Sequence, residues 1–262
     1  MTKLLLVGCG KMGGAMLRGI VAARLASDIV VIEPSPPSLS GVTWHASPDQ
    51  LNPAFTPDVV IIAVKPQMIA EALPPYARFA NAVFLSIAAG ITLDKLATLL
   101  GNPKAAIIRT MPNLPASIGQ GMTVAIANAY VTAAQRGLCD RLLCAIGQTA
   151  WGEDENLLDA VTALSGNGPA YVFALCEAME KAGVELGLSP TLSAQLARHT
   201  IIGSGALLAA TSDSAGDLRR AVTSPKGTTE AALTQLLGQG GLNELMHKAM
   251  TAALQRAKEL AL

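Results

Sequence analysis

The chain is poor in aromatics, charge and histidine. Phe, Trp and Tyr make up 3% of its 262 residues and charged residues 15%. So few rings argue against an aromatic-rich recognition surface. Acidic and basic residues balance at 19 each, and no tract is basic. Nucleic acid and an anionic membrane surface are therefore not expected as partners. His45, His199 and His247 form no H-x-x-x-H pair, and Cys9, Cys139, Cys144 and Cys176 form neither a C-x-x-C pair nor a zinc spacing. No metal site is expected, and the cysteines read as small core residues. Long apolar runs are missing too. Leu4 to Val7 is far too short to span a membrane and lacks the flanks of a signal peptide, so a cytoplasmic chain is expected.

What is abundant is aliphatic. Hydrophobic residues reach 51%, much of it Ala, Leu, Val and Ile, which suits buried parallel strands and closely packed helices. The length allows one large domain or two modest ones. Lys3 to Val7 reads as a buried strand, and Gly14 to Ile20 as a helix. Between them lies Gly8-Cys9-Gly10-Lys11-Met12-Gly13. G-x-G-x-x-G spacing between strand and helix is the dinucleotide-binding fingerprint. Gly8 allows the tight turn, Gly10 lets backbone approach a pyrophosphate, and Gly13 lets helix and strand close together. The free N–H groups at the helix start, Lys11 and Met12 among them, would hold the phosphates. An acid is expected at the end of the second strand, and Ile29 to Ile32 is followed by Glu33.

Further strands are read at Asp58–Val64, Ala82–Ile87, Ala105–Arg109 and Met122–Ala127, with an edge strand at Gln148–Trp151. Helices are read between them, among them Gln67–Phe79, Thr92–Leu100 and Ala133–Ile146. This alternation implies a doubly wound sheet of Rossmann type. Ligands in such sheets sit beyond the carboxyl ends of the strands. That places Gly8, Gly10, Gly13, Glu33, Ser35, Ala63, Val64, Lys65, Pro66, Ala89 and Pro112 around one cofactor. From Asp154 onward no strand is read, only helices. The domains are therefore set at 1–152, binding the dinucleotide, and 153–262, all helical. The helix from Pro169 to Leu186 is apolar nearly all round, the pattern of a buried helix. A domain of this size would need a second subunit to bury it, so at least a homodimer is expected.

The helical half contains one polar turn, Thr223-Ser224-Pro225-Lys226-Gly227-Thr228-Thr229, ahead of a helix. Hydroxyls and free N–H groups at a helix start suit a carboxylate or other anion. Thr228 or Ser224 could instead be an ordinary N-cap.

At this turn the sequence resembles the pyrroline-5-carboxylate reductases. The resemblance rests on Ala63-Val64-Lys65-Pro66, on Leu164-Ser165-Gly166-Asn167-Gly168-Pro169-Ala170-Tyr171 and on Val222 to Thr229. Arg109-Thr110-Met111-Pro112-Asn113 adds a fourth stretch, which related enzymes share. Asn167 stands where the family usually has Ser, and Lys226 where Gly is common. Ser212 to Ala215 lacks a glutamate often found there. The resemblance implies hydride transfer from NADPH or NADH to the imine carbon of 1-pyrroline-5-carboxylate, yielding L-proline. It places the substrate carboxylate on Ser224, Gly227 and Thr228 and the Thr229 hydroxyl near the ring nitrogen, with the partner's helical domain completing the site. It also allows assemblies larger than a dimer. The family commonly takes NADPH, whereas Glu33 points to NADH because it would accept from a ribose 2′-hydroxyl. The same fold also hosts imine reductases and β-hydroxyacid dehydrogenases. Lys181, far from the start of its helix, counts against the latter, and a redox-silent dinucleotide sensor would not need the hydroxyl turn.

Overall fold

The computed structural model describes residues 2–260. Of the described residues, 2–166 together with 253–260 form one compact unit, and Asn167–Ala252 form a second.

The first unit is built on an eight-stranded sheet. In chain order its elements are β1 (Lys3–Val7), α1 (Lys11–Ala22), β2 (Asp28–Ile32), β3 (Thr43–His45), β4 (Val59–Ile62), α2 (Ile69–Ala72), β5 (Val83–Ser86), α3 (Leu93–Leu99), β6 (Ile107–Met111), β7 (Gly121–Ala127), α4 (Ala133–Cys144), β8 (Gly147–Trp151) and α5 (Leu158–Val161). The strand order is β3-β2-β1-β4-β5-β6-β7-β8. Pairing is parallel from β3 through β6. β7 runs antiparallel to β6, and β8 runs parallel to β7.

Period-two alternation divides the strand side chains between two cores. Leu4 and Leu6 of β1 join Val59 and Ile61 of β4 and pack with Met16 and Ile20 of α1 and Leu142 of α4. Leu5 and Val7 join Val60 and Ile62 on the other face and pack with Ile69, Tyr76 and Leu96. Both faces are covered, which is why these strands read as unbroken apolar runs. Strand order reverses at β1, whose neighbours are β2 and β4. The crevice at a ligand-binding switch point therefore opens beyond the carboxyl ends of β1 and β4.

Local chemistry explains the element ends. Thr92 caps α3 by accepting from the Lys95 N–H at 3.2 Å. The single helix read from Gln67 to Phe79 does not form. Pro66–Met68 and Pro74–Tyr76 are 3₁₀ turns on either side of the four-residue α2, because Pro74-Pro75 removes two donors and obstructs the preceding turn. After Asp154 the chain forms a 3₁₀ turn over Glu155–Leu157, then α5, then a π-helical turn over Thr162–Gly166.

α1 ends in a Schellman motif. The Arg24 N–H donates to the Val21 carbonyl and the Leu25 N–H to the Ile20 carbonyl, each at 3.1 Å. Arg24 takes φ +53°, a left-handed conformation costing an L-residue about 1–2 kcal/mol. Glycine would remove that strain and lose part of the gain to unfolded-chain entropy. Arg24→Gly is expected to stabilise the protein by about 0.5–1 kcal/mol, read as a higher urea midpoint at unchanged m-value. An unchanged or lower midpoint would refute the strain argument.

The second unit comprises α6 (Gly168–Glu185), α7 (Pro190–Ala210), α8 (Ala215–Ala221) and α9 (Thr228–Leu237), and α10 (Leu242–Leu260) begins in it. α6 and α7 pack together, with the Ser193 hydroxyl donating to the Glu180 carbonyl at 2.6 Å. The burial expected for α6 is not supplied by its own chain. None of its residues is buried, and Phe173 is 59% exposed. Ile202, Leu207 and Leu208 of α7 are exposed as well.

Candidate active site

The β1–α1 turn has the form the fingerprint requires. Gly8 takes φ +89°, and a Cβ there would lie 2.7 Å from the Ala63 carbonyl oxygen. Gly13 is buried against the turn. A Cβ on it would collide with the Gly8 carbonyl oxygen and come within 3.0 Å of the Ala63 side chain. The backbone is held by its neighbours, the Gly8 N–H donating to the Ile32 carbonyl at 2.9 Å and the Ala63 N–H to the Val7 carbonyl at 2.7 Å. Gly10 is the N-cap of α1, and no side chain caps the helix. The first intrahelical bond runs from the Gly14 N–H to the Gly10 carbonyl. The N–H groups of Lys11, Met12 and Gly13 are therefore left for an anion, with no acid in the first turn to compete. This bare cradle fits a dinucleotide pyrophosphate.

Two cavities meet at the turn. One, of about 480 Å³, has apolar walls from Ile32, Val64, Ala72, Pro75 and Tyr76, with Gly8, Ala63 and Lys65 also lining it. The other, of about 550 Å³, is lined by Cys9, Lys11, Met12, Arg18, Ser35 and Ser38, among others. Gly10 and Glu33 line both. The Glu33 carboxylate accepts from the Cys9 N–H at 2.5 Å, and its main chain is fixed by the Trp44 indole N–H, 2.8 Å from the Glu33 carbonyl. Burial, aided by Glu33 and opposed by Arg18, pushes the Cys9 thiol above its ordinary range. Cys9 is one wall of the turn.

The sequence-derived cofactor residues thus fall into three groups. Gly8, Gly10, Lys11, Met12, Glu33, Ser35, Ala63, Val64 and Lys65 line one or both cavities, and Gly13 lies under the turn. Pro66 opens the 3₁₀ turn after Lys65. Ala89 and Pro112 follow β5 and β6 and line neither cavity. Arg18, Ser38 and Tyr76 were not singled out from sequence. For Arg18 a signal existed: it lies seven residues after Lys11, two turns along the same helix face.

Strand β6 leads to a second fixed point. Arg109 is buried and its guanidinium meets the Glu155 carboxylate at 2.7 Å. That carboxylate also accepts from the Leu93 N–H at 2.8 Å. Asn113 donates to the Ser165 carbonyl in the π turn at 3.1 Å and accepts from the Met122 N–H at 2.9 Å. Residues 155–166 are therefore fastened to the sheet. This is why the compact unit runs on to Gly166, beyond the boundary read after residue 152.

The hydroxyl turn lies in the second unit. Its cap is Gly227, without any side-chain cap, so neither Ser224 nor Thr228 performs the ordinary capping role. The Gly227 N–H is used within the turn, donating to the Ser224 carbonyl at 3.0 Å. The Lys226 N–H donates to the Glu230 carboxylate at 2.7 Å. Thr228 and Thr229 begin α9 with their N–H groups outside its ladder. Among the described residues the hydroxyls of Ser224, Thr228 and Thr229 have no partner. Lys226 adopts φ +61°, a conformation in which glycine is unstrained.

Among the described residues no group of three His, Cys, Asp or Glu could hold a metal, and no helix is long and apolar enough to cross a membrane.

Residues 155–260 match the family model described as pyrroline-5-carboxylate reductase dimerisation, and residues 3–90 match one described as NADP oxidoreductase, coenzyme F420-dependent. The chain is 37% identical to the pyrroline-5-carboxylate reductase of Pseudomonas aeruginosa, covering 99% of this chain and 97% of that protein. It is 34% identical to that of Haemophilus influenzae, covering 97% and 96%. A solved pyrroline-5-carboxylate reductase from Coxiella burnetii superimposes with a TM-score of 0.91 at 34% identity, over 99% of this chain and 98% of that one. The Plasmodium falciparum pyrroline carboxylate reductase, solved with NADP bound, gives 0.86 at 27% identity over 100% and 98%.

Proposed function

The chain belongs to the pyrroline-5-carboxylate reductase family, and from that premise we propose how its own residues carry the reaction. It is an NAD(P)H-dependent oxidoreductase acting on a CH–NH group, reducing 1-pyrroline-5-carboxylate to L-proline. The observation that carries the residue assignment is the uncapped start of α9, with free hydroxyls and N–H groups on one turn.

When bound, the reduced nicotinamide supplies the hydride that the imine carbon accepts. The bare turn from Gly8 to Gly13 would hold the cofactor's pyrophosphate, and Ala63 to Pro66, Ala89 and Pro112 would complete the cofactor site. Ser224 and Thr228 would hold the substrate carboxylate, and Gly227, expected beside them as a donor, instead leaves room for the Ser224 hydroxyl, which a Cβ there would strike. The Thr228 and Thr229 N–H groups are the available main-chain donors, since the Gly227 N–H is engaged within the turn. The Thr229 hydroxyl would face the ring nitrogen, where it orients the imine or relays a proton to it from water, taking up one proton as it gives another. A protonated imine accepts hydride readily, so most of the protein's work is to orient two reactants in a dry site. No histidine or carboxylate pair is needed for this.

The exposed apolar faces of α6 and α7 support a homodimer, because a monomer rarely leaves so much apolar helix in water. An assembly of several dimers is compatible with the same faces. Four free thiols suit a reducing, cytoplasmic setting. Glu33, at the ribose end, supports use of NADH.

An assay of cofactor oxidation tests the reading, setting pyrroline-5-carboxylate against other cyclic imines and against hydroxy acids. Pyrroline-5-carboxylate is expected to lead the panel in kcat/KM by about 100-fold or more, because only it matches both the carboxylate site and the ring-nitrogen site. Equal turnover of an imine without the carboxylate would refute the assignment of Ser224 to Thr229.

A further inference from the structure

Glu230 is the acid in the first turn of α9, beside N–H groups left for an anion. The helix dipole favours an acid there, yet its charge also opposes the binding of a second carboxylate. An acid at the third helical position ordinarily reaches back to the N–H of the cap. Here the cap is Gly227, whose N–H is already bonded to the Ser224 carbonyl. Glu230 instead accepts from the N–H of Lys226, one residue before the cap, at 2.7 Å. Its partner is that main-chain group and not the ammonium: among the described residues no ion pair includes Glu230.

The Lys226 N–H belongs to the peptide that decides the form of the turn. Ser224 to Gly227 is a β-turn closed by the Gly227 N–H on the Ser224 carbonyl at 3.0 Å. Pro225 holds its second position, and Lys226 holds the third with φ +61°. Proline followed by a residue of positive φ is the pattern of a type II turn. Glycine selects that form at the third position, whereas lysine favours type I. The two forms differ by a flip of the central peptide, which here joins Pro225 to Lys226. In type I the Lys226 N–H would turn away from Glu230, and the Pro225 carbonyl would take its place against α9.

We propose that Glu230 is a positioning residue: by accepting from Lys226 it locks the turn in the type II form and keeps the Pro225 carbonyl away from the anion site at the start of α9. This lock presumes that the turn is the substrate's carboxylate site. Lys226 does not select the form by itself, so without the lock the turn divides between two forms and only one receives the carboxylate. Apparent affinity then falls in proportion to the competent fraction. Bound substrate draws the turn back into the competent form, so the rate of the bound complex is kept.

Steady-state kinetics on the full chain test this, with Glu230→Ala, Lys226→Gly and their combination set against the parent. Glu230→Ala is expected to raise KM for pyrroline-5-carboxylate by about tenfold and to leave kcat within about twofold of the parent. Glu230→Gln keeps an oxygen that accepts from the Lys226 N–H and should recover part of the loss. Glycine at 226 selects the type II form unaided. In the Lys226→Gly background, Glu230→Ala should therefore raise KM by no more than about twofold. A frayed α9, or a changed charge beside the site, would act alike in both backgrounds. Equal rises in KM with lysine and with glycine at 226 would overturn the proposal. An unchanged or lower KM in Glu230→Ala would do the same, as would a loss confined to kcat. Dinucleotide affinity should stay parental in every variant, because the glycine turn lies in the first unit; a loss there would show a wider folding defect and count against the lock. If the parent does not reduce pyrroline-5-carboxylate, the carboxylate reading of the turn falls and takes the lock with it, so the parent control separates the two failures.

Discussion

Gly13→Ala is expected to raise the dissociation constant for NADH and NADPH by about 100-fold or more, through loss of the hydrogen bonds that cradle the pyrophosphate. The added Cβ meets main chain, the Gly8 carbonyl oxygen, not the movable end of a side chain. Its second contact, the Ala63 side chain at 3.0 Å, sits directly after β4 and cannot retreat, since the Ala63 N–H is bonded to Val7. Either α1 slides away from β1 or the turn changes shape. Each movement takes the Lys11, Met12 and Gly13 N–H groups off their target together. Hydrogen bonds to a charged partner contribute about 1.5–3 kcal/mol each, so misplacing two accounts for the predicted loss. The fold itself should lose about 1–3 kcal/mol to overpacking. Binding is therefore measured calorimetrically at a temperature where urea titration shows the variant fully folded. A dissociation constant within about threefold of the parent would show that the turn can relax and that Gly13 is not needed for close approach.

The parts that local chemistry controls were open to reading from the sequence. Lys3 to Val7, the glycine triplet and Glu33 define the cofactor end because a strand, a turn and a helix start each carry their own residue requirement. Thr92 could be read as a cap because capping involves a side chain and an N–H only three residues away. What depends on distant partners could not be read. Nothing local marks Glu155 as the counter-ion of Arg109, 46 residues earlier in the chain. The attachment of residues 155–166 to the sheet, which carries the first unit past the boundary read after residue 152, was hidden for the same reason. One further local feature is legible: Pro74-Pro75 divides the stretch from Gln67 to Phe79. The hydroxyl turn falls between these cases. Its composition marked it, but only the structure shows that Gly227 is the cap and that the hydroxyls are left free.

That freedom underlies the other large effect, which lies in kcat. Thr229→Ala is expected to lower kcat by about 100- to 1,000-fold, the lower range for losing a group that positions or relays a proton in the transition state. Dinucleotide binding should be unchanged, because Thr229 lies in the second unit and the glycine turn in the first. Alanine is the better helix former, so α9 should not be weakened by the substitution. Ser224→Ala gives the contrast. A hydroxyl that only holds the substrate carboxylate acts equally in ground and transition states, so its removal should raise KM by about tenfold and leave kcat near the parent value. Thr229→Ser keeps the hydroxyl and should restore most of the rate, which a loss of packing by the Thr229 methyl would not allow. If Thr229→Ala keeps kcat within about threefold of the parent, the hydroxyl has no part in the chemical step. The turn would then be a carboxylate clamp alone, and the proton on the ring nitrogen would have to arrive with the substrate.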